Sequence, residues 1–308
     1  MLYKYSQLTK KVPYEKSKKI IETLKNKPLH WGQLKLFLSE LLFLSMFNTK
    51  AYTILYVGAA EGDHIAKLAE MFFRHKFILY DPRNFSPSLK KYANIEMHNK
   101  YFTDDEAKKY KKDGSNILFI SDIRISEYGK YKTTYSEKSE EFVIDDMQYQ
   151  MDWCKIIKPK KAYLKFRTMY IKEKFDYFDG TIYLQQYSPV STESRLLTDN
   201  YDKLITYDSK EFDEKMAYYN CCMRPTQKSV RWTKVMEKLN LKNTLDMENM
   251  LYILEYYLIK EKGKKKDKSD NDVIELFKDI GNFFKKMNID KYNKLLVKTT
   301  PITIKIKI

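Results

Sequence analysis

The sequence predicts an α/β protein: a doubly wound, seven-stranded, mostly parallel sheet with one antiparallel strand, followed by a helical C-terminal extension. Three observations predict it. Short apolar runs bounded by polar residues alternate with segments of helical spacing from residue 31 to Phe166, the pattern of a parallel sheet covered by helices. The first run leads through a glycine turn directly into a helical segment, as in folds that hold a ligand at the carboxyl end of a central strand. Beyond about residue 225 only helical periodicity is left.

In chain order, a helix is expected from Ser17 to Asn26 in a polar, basic lead segment. Trp31 to Phe47 is a helix whose apolar positions nearly surround it, so it is expected to be buried. Lys35 interrupts those apolar positions; snorkelling to the surface is the commoner fate of such a lysine, and being held for chemistry the other. Strands are expected at Thr53 to Val57, Phe77 to Asp81, Asn94 to His98, Asn116 to Asp122 and Ala162 to Phe166, with helices at His64 to Phe73, Asp104 to Lys112 and Glu140 to Ile157. Ile123 to Lys138, with Gly129, reads as a long polar loop. Gly180 to Gln186 and Arg195 to Thr198 complete seven strands and read as an antiparallel pair. Helices are expected at Ser209 to Met223, Ser229 to Leu239, Leu245 to Ile259 and Asp272 to Met287, with Lys260 to Lys268 as a solvated basic loop. This divides the chain into a basic segment (1–30), a central domain (31–225) and the helical extension (226–308).

The turn after the first strand carries Gly58 and Gly62, in a chain with 8 Gly among 308 residues. Glycine permits positive φ and close approach. The later glycines of a dinucleotide fingerprint are not at their positions in Gly58-Ala-Ala-Glu-Gly-Asp63, which disfavours a pyrophosphate and leaves room for a smaller adenosyl ligand. Asp81 ends the next strand, where an acid holds two ribose hydroxyls. An ordinary βαβ unit, with these residues serving only as turns, fits the same pattern.

The formal net charge is +16, with 57 Lys+Arg against 41 Asp+Glu. That excess favours a polyanionic partner such as nucleic acid, although heavy use of Lys, Ile, Asn and Tyr also produces it. The cysteines Cys154, Cys221 and Cys222 are odd in number and form no C-x-x-C, so free thiols and no zinc site are expected. No run is long enough for a membrane span and the first residues do not read as a cleaved leader; a soluble, cytoplasmic protein is expected.

In a doubly wound sheet the carboxyl ends of the strands line one crevice. Asp81 and Asp122 end strands, Lys165 lies near the end of a third, Glu193 precedes the last strand at what reads as a sheet edge, and Lys35 lies on a buried helix. Two lysines and two acids there suit removal of a proton from an alcohol. Desolvation and a neighbouring ammonium lower the pKa of a lysine until the neutral amine is accessible. Two ordinary ion pairs are the competing reading.

The ordered blocks Gly32-Gln-Leu-Lys-Leu-Phe-Leu-Ser-Glu-Leu-Leu-Phe-Leu-Ser45, Tyr56-Val-Gly-Ala-Ala-Glu-Gly62, Leu79-Tyr-Asp-Pro-Arg83, Ile120-Ser-Asp-Ile-Arg124, Leu164-Lys-Phe-Arg167 and Thr192-Glu-Ser-Arg-Leu-Leu197 resemble the poxvirus cap-specific mRNA (nucleoside-2′-O-)-methyltransferases. Those proteins are also the small stimulatory subunits of viral poly(A) polymerases. The resemblance runs from about residue 30 to 220. It implies a Rossmann-like S-adenosylmethionine-dependent methyltransferase fold and a catalytic tetrad of Lys35, Asp122, Lys165 and Glu193, with Lys165 as the base. It implies cofactor contacts from Gln33, Tyr56, Gly58, Gly62, Asp81, Arg83, Thr103 and Asp122, and no metal. RNA contacts would come from Arg167, Ser191, Thr192 and Glu193. The 7-methylguanine, a cation suited to an aromatic sandwich, would meet Tyr170, Tyr14 and an acid from Asp213 or Glu214. The stretch between Lys165 and Glu193 is shorter than in the family, and a second acid is not placed. The resemblance further implies capped mRNA and a poly(A) polymerase catalytic subunit as partners, and a viral protein of the host cytoplasm or virion. An RNA-binding polymerase processivity subunit with a weak or silent methyltransferase site is the alternative from another class. A methyltransferase acting on ribosomal RNA or internal RNA positions is a third.

Overall fold

The computed structural model describes residues 4–24, 27–124, 137–263 and 270–297. Among the described residues there are nine strands: β1 (Thr53–Val57), β2 (Lys76–Tyr80), β3 (Ile95–His98), β4 (Ile117–Ser121), β5 (Lys161–Phe166), β6 (Lys174–Phe178), β7 (Thr181–Tyr183), β8 (Ser194–Thr198) and β9 (Leu204–Asp208). The helices are α1 (Tyr14–Thr23), α2 (Gly32–Met46), α3 (Asp63–Met71), α4 (Asp104–Lys109), α5 (Glu137–Ile157), α6 (Ser209–Tyr218), α7 (Arg224–Thr226), α8 (Thr233–Lys238), α9 (Leu245–Lys262), α10 (Asp270–Met287) and α11 (Ile289–Asn293).

The main sheet has the order β3-β2-β1-β4-β5-β8-β7. β1 to β5 pair in parallel; β8 runs antiparallel to both neighbours, β5 and β7. The chain thus builds outward from β1 to β3, then returns to lay β4 on the other side of β1. That reversal opens a crevice at the carboxyl ends of β1 and β4. The central strands are apolar because both faces are covered, and β4 is buried at every position.

One face carries α2 and α3 and, outside them, the C-terminal helices. Trp31 and Phe37 each meet Phe284 of α10 edge-on, at 5.4 and 5.3 Å, and Phe72 meets Tyr257 of α9 at 5.5 Å. On its inner side α2 stacks Phe43 on Tyr163 of β5 at 4.8 Å. Lying between sheet and outer helices, α2 is apolar nearly all round, as expected. The other face carries α5, whose Val143, Met147, Met151 and Cys154 are buried as its helical spacing predicts, while Phe142, expected on the same inner side, is only partly buried. Among the described residues no helix is long and apolar enough to cross a membrane.

Several elements differ from expectation. β6 and β9 form a separate antiparallel pair that the sequence did not announce. Their alternation is partial: β6 reads exposed, buried, exposed, buried, buried. Glu193 does not stand at the edge of the sheet, because β7 pairs outside β8 and takes that edge. The Ser209 to Met223 helix is interrupted. α6 passes into a single π-helical turn, Tyr219–Met223, before α7. Only Thr233–Lys238 of the Ser229 to Leu239 segment is helical, since the Ser229 hydroxyl and carbonyl are used in a turn by Trp232 N and the Thr233 hydroxyl, at 3.0 and 2.6 Å. α9 runs on to Lys262 and ends on Gly263 at φ 61°, a left-handed cap that favours glycine. α11 was not expected. Residues 125–136 of the polar loop and 264–269 of the basic loop lie outside the described residues.

Candidate active site

The crevice floor is made where β1 and β4 end. Gly58 has φ 81°, and a Cβ on it would come within 2.8 Å of Ile123 N and 2.9 Å of Asp122 C. The bare Cα is needed because the backbone after β4 passes directly over it, a tighter reason than ligand access. Ala60 (φ 54°) and Gly62 (φ 74°) complete a turn with three left-handed residues, and Ala60 is the non-glycine that carries strain there.

Asp81 follows β2 and is buried. Its Oδ2 accepts from Ala60 N at 2.7 Å and Arg83 Nη2 at 3.2 Å; its Oδ1 accepts from Arg83 N at 2.9 Å and Arg83 Nε at 3.0 Å. A carboxylate has about four acceptor sites, so those of Asp81 are filled. Ribose hydroxyls would enter only as the half-exposed Arg83 guanidinium swings away. With that one rearrangement, the turn, the acid and the lack of a phosphate cradle fit S-adenosylmethionine. Tyr56 is buried beneath the crevice with its hydroxyl donating to Glu40 of α2 at 2.7 Å. Glu40 also bonds His64 Nε2 at 3.0 Å, and His64 Nδ1 meets Gln33 Oε1 at 3.0 Å. Gln33 lines a cavity of about 420 Å³ with His30, Glu61 and Lys291. Thr103 caps α4 and lines a separate cavity of about 560 Å³ with Tyr101, Tyr149 and Trp153.

Lys35, Asp122, Lys165 and Glu193 converge beside this turn. Lys165 Nζ lies 3.1 Å from Asp122 Oδ1 and 3.9 Å from Glu193 Oε2. Lys35 Nζ donates to Glu193 Oε1, so this lysine is buried and held rather than snorkelled. The pairing of β5 with β8 explains the approach of Glu193: Lys165 stands opposite Arg195, two residues further along. Arg195 was missed by sequence reasoning. It is fully buried, donates to Asp122 Oδ1 at 2.7 Å and to the Ser121 carbonyl at 3.0 Å, and anchors the acid. Its only signal was a charge inside the apolar run Ser194-Arg-Leu-Leu-Thr198.

The electrostatics follow from crowding. Burial pushes the Lys165 ammonium pKa below the ordinary amine range; Asp122 and Glu193 oppose that, and Arg124 and Lys35 add to it. Burial would raise the Asp122 carboxyl, but Arg195, Lys165 and Lys35 outweigh it and hold it at about 2. Glu193, buried likewise, is held well below the carboxylate range by Lys165 and Lys35. Both acids stay ionised while one amine is eased toward neutrality.

Around this group Arg167 pairs with Glu140 of α5 and lies 4.8 Å over the Tyr170 ring. The Tyr170 hydroxyl is 3.3 Å from Thr192 Oγ1, and Glu193 N donates to Ser191 Oγ at 3.2 Å. Arg167, Tyr170 and residues 191–193 therefore form one patch. Tyr14 and Asp213 lie on α1 and α6, which pack together; Val12 N donates to the Glu214 carbonyl at 3.0 Å, and Lys18 Nζ sits 4.3 Å over the Tyr14 ring. Burial and the neighbouring Glu214 push the Asp213 carboxyl up to about 6, against Lys18.

A family model described as poly A polymerase regulatory subunit matches residues 1–289. The chain belongs to that family. A cap-specific mRNA (nucleoside-2′-O-)-methyltransferase of Myxoma virus (strain Lausanne) is 30% identical over 240 residues, which cover 71% of this chain and 69% of that protein. The Fowlpox virus (strain NVSL) protein of the same name is 31% identical over 217 residues, covering 63% of this chain and 68% of its own length. Among solved structures, an antibiotic-related methyltransferase overlaps 48% of this chain at 15% identity and a TM-score of 0.25, too low to bear on the fold. This member of the regulatory-subunit family thus has poxvirus methyltransferases as its relatives, and its tetrad sits at the crevice where the sheet order reverses.

Proposed function

We propose that the chain transfers a methyl group from S-adenosylmethionine to the ribose 2′-hydroxyl of the first transcribed nucleotide of RNA carrying a 7-methylguanosine cap. The observation that carries this reading is the convergence of Lys35, Asp122, Lys165 and Glu193 beside the Gly58 turn in a chain of this family. When bound, S-adenosylmethionine supplies an electrophilic methyl on sulfur. Gly58, Gly62 and Asp81, with Arg83 displaced, would hold it; Gln33, Tyr56 and Thr103 would contribute as the family resemblance implies.

Lys165, as the neutral amine, would take the 2′-hydroxyl proton while the methyl passes from sulfur to that oxygen, the methyl–sulfur bond breaking to leave S-adenosylhomocysteine as a neutral thioether, and would finish as an ammonium. Glu193 and Asp122 orient the amine and then stabilise its charge. Lys35 raises the cost of protonating Lys165 beforehand, and Arg195 keeps Asp122 ionised and in place. Alignment of the hydroxyl and of the base supplies most of the barrier reduction. Arg167 and residues 191–193 would hold the RNA, and Tyr170, Tyr14 and Asp213 the methylated guanine.

We further propose a second role beside the enzyme: stimulation of a poly(A) polymerase catalytic subunit, as the family description favours, in a viral protein of the host cytoplasm or virion. Labelled-methyl transfer to short RNAs with a 7-methylated cap, an unmethylated cap or a 5′-triphosphate tests the first role. Labelling confined to the methylated cap, and lost in Lys165→Ala, is expected. No labelling of any RNA by a chain that still binds cofactor and RNA would leave only the subunit role.

A further inference from the structure

Two segments deliver two members of the tetrad, Lys35 and Glu193, while Asp122 follows β4 and Lys165 stands in β5. The segment 29–31 leads into α2 and Lys35; the segment 187–191 leads to Glu193. They are tied to each other where the Tyr187 carbonyl accepts from Trp31 N at 2.9 Å and meets His30 Nδ1 at 3.1 Å. Tyr187 itself sits at φ 55°, a strained position for a bulky residue. Both loops are also tied to the C-terminal helices through one buried guanidinium. Arg224 donates from Nε to both oxygens of Asp246 on α9, at 3.1 and 3.2 Å, and from Nη2 to Asp246 Oδ2 at 2.9 Å. Its Nη2 also reaches the Leu29 carbonyl at 3.3 Å, and its Nη1 donates to Asn220 Oδ1 at 3.0 Å. Asn220 in turn donates from Nδ2 to the Ser191 carbonyl at 3.0 Å.

Asn220 lies in the π-helical turn Tyr219–Met223, and Arg224 caps it. Such a turn inserts one residue into a helix and re-aims its side chains, often at functional sites. Here it points one amide at the guanidinium and at the substrate-side loop together. Asn220 and Arg224 are both almost fully buried, where unpaired polar groups are costly. Helix stability alone would not require either to bond to Leu29 and Ser191.

We infer that Arg224 and Asn220 are positioning residues for methyl transfer: anchored on Asp246 of α9, they hold segments 29–31 and 191–193 in place and so set the spacing of Lys35 and Glu193. The inference rests on the proposed function for its catalytic consequence and on geometry alone for the clamp. It also gives the helices beyond residue 225 a task in the site.

Asn220→Asp separates the links, because it keeps the acceptor toward Arg224 and loses the donor toward Ser191. Asn220→Ala removes both. With both variants, transfer to capped RNA is measured as kcat and KM against pH, together with cofactor affinity, melting temperature and amide hydrogen exchange over residues 188–194. The expected result for Asn220→Asp is a roughly 10- to 100-fold lower kcat, with unchanged cofactor affinity, a melting temperature lowered by the lost buried hydrogen bond but still above the assay temperature, and faster exchange in the 188–194 segment. The pH at which the rate rises should also fall. Lys165 is faced by Asp122, Glu193, Arg124 and Lys35, with Arg195 bonded to Asp122 behind them; a displaced Glu193 withdraws a charge that stabilises the ammonium. A merely structural asparagine would not move that limb. Unchanged exchange in Asn220→Asp, or a wild-type kcat and pH profile despite faster exchange, would overturn the inference. If the parent protein methylates no RNA, the proposed function fails by itself, and the exchange comparison still decides the clamp.

Discussion

Two of the buried clusters of opposite charge, the tetrad and the Arg224–Asp246 pair, behave differently. In the Arg224–Asp246 cluster one guanidinium faces one carboxylate with three contacts of 2.9 to 3.2 Å, and its remaining donors reach Asn220 and Leu29. Burial would lower the Arg224 pKa, but Asp246 outweighs it and the net shift is upward. In the tetrad, Lys165 shares its two acids with Lys35 and Arg195, its nearer contact is 3.1 Å and its farther 3.9 Å, and its pKa moves down. A buried charge is thus locked in one place and eased toward releasing its proton in the other. The difference begins with the cation, because a guanidinium stays charged when buried whereas an ammonium yields its proton, and the sharing of Asp122 and Glu193 with Lys35 and Arg195 adds to it.

The largest expected effect removes the base. Lys165→Ala should lower single-turnover methyl transfer by roughly 10²- to 10⁴-fold while titration of the cofactor shows little change; a loss below tenfold would remove the distinction between the clusters. Next, Glu193→Gln should lower transfer by roughly tenfold to a hundredfold. It should also shift the rising limb of the pH–rate profile to lower pH. The sign follows because Glu193 raises the Lys165 pKa, so its neutralisation lets the amine lose its proton earlier; a limb moving upward would contradict the assignment.

For the locked cluster, Arg224→Met strands a buried carboxylate and should destabilise the fold by about 3–5 kcal/mol, seen as a lower melting temperature. Adding Asp246→Leu should restore part of it, whereas replacing tetrad residues in pairs should not rescue activity. At the cofactor end, Asp81→Asn should weaken S-adenosylmethionine binding roughly tenfold, about 1.4 kcal/mol, by isothermal titration. The smallest effect concerns Asp213. Its pKa is raised in the folded state to about 6 from 3.8, so the folded protein binds more protons than the unfolded one between those values, and stability falls as pH rises through that window. Asp213→Asn should flatten that slope in melting curves between pH 4 and 6.

How much was legible varies residue by residue. Lys35 was conspicuous as a charge in an apolar helix, and Asp81 and Asp122 as acids ending apolar strands, because local pattern alone marks them. Arg195 carries the same kind of signal in a run of five residues, too short to say which face is covered. The assignment of Glu193 to a sheet edge failed because the sequence announces the strand that contains β7 but not that it pairs outside β8 and takes that edge. The filling of Asp81 by Arg83 was not legible either, since the two are recognised separately as ligands and only their shared geometry makes them competitors.

By itself the sequence determined the alternation of strand and helix, the glycine turn and the buried character of α2. These depend on neighbours a few positions apart, and hydrophobic period, backbone freedom and chain order are all local. Only the tertiary structure decided that Glu193 serves two lysines, that Arg195 anchors Asp122, and that Arg224 joins α9 to both loops of the site. Those outcomes depend on distances of about 3 Å between groups many residues apart in the chain, such as Asp122 and Lys165. Coulomb and desolvation energies vary steeply over such distances, and no periodicity encodes them.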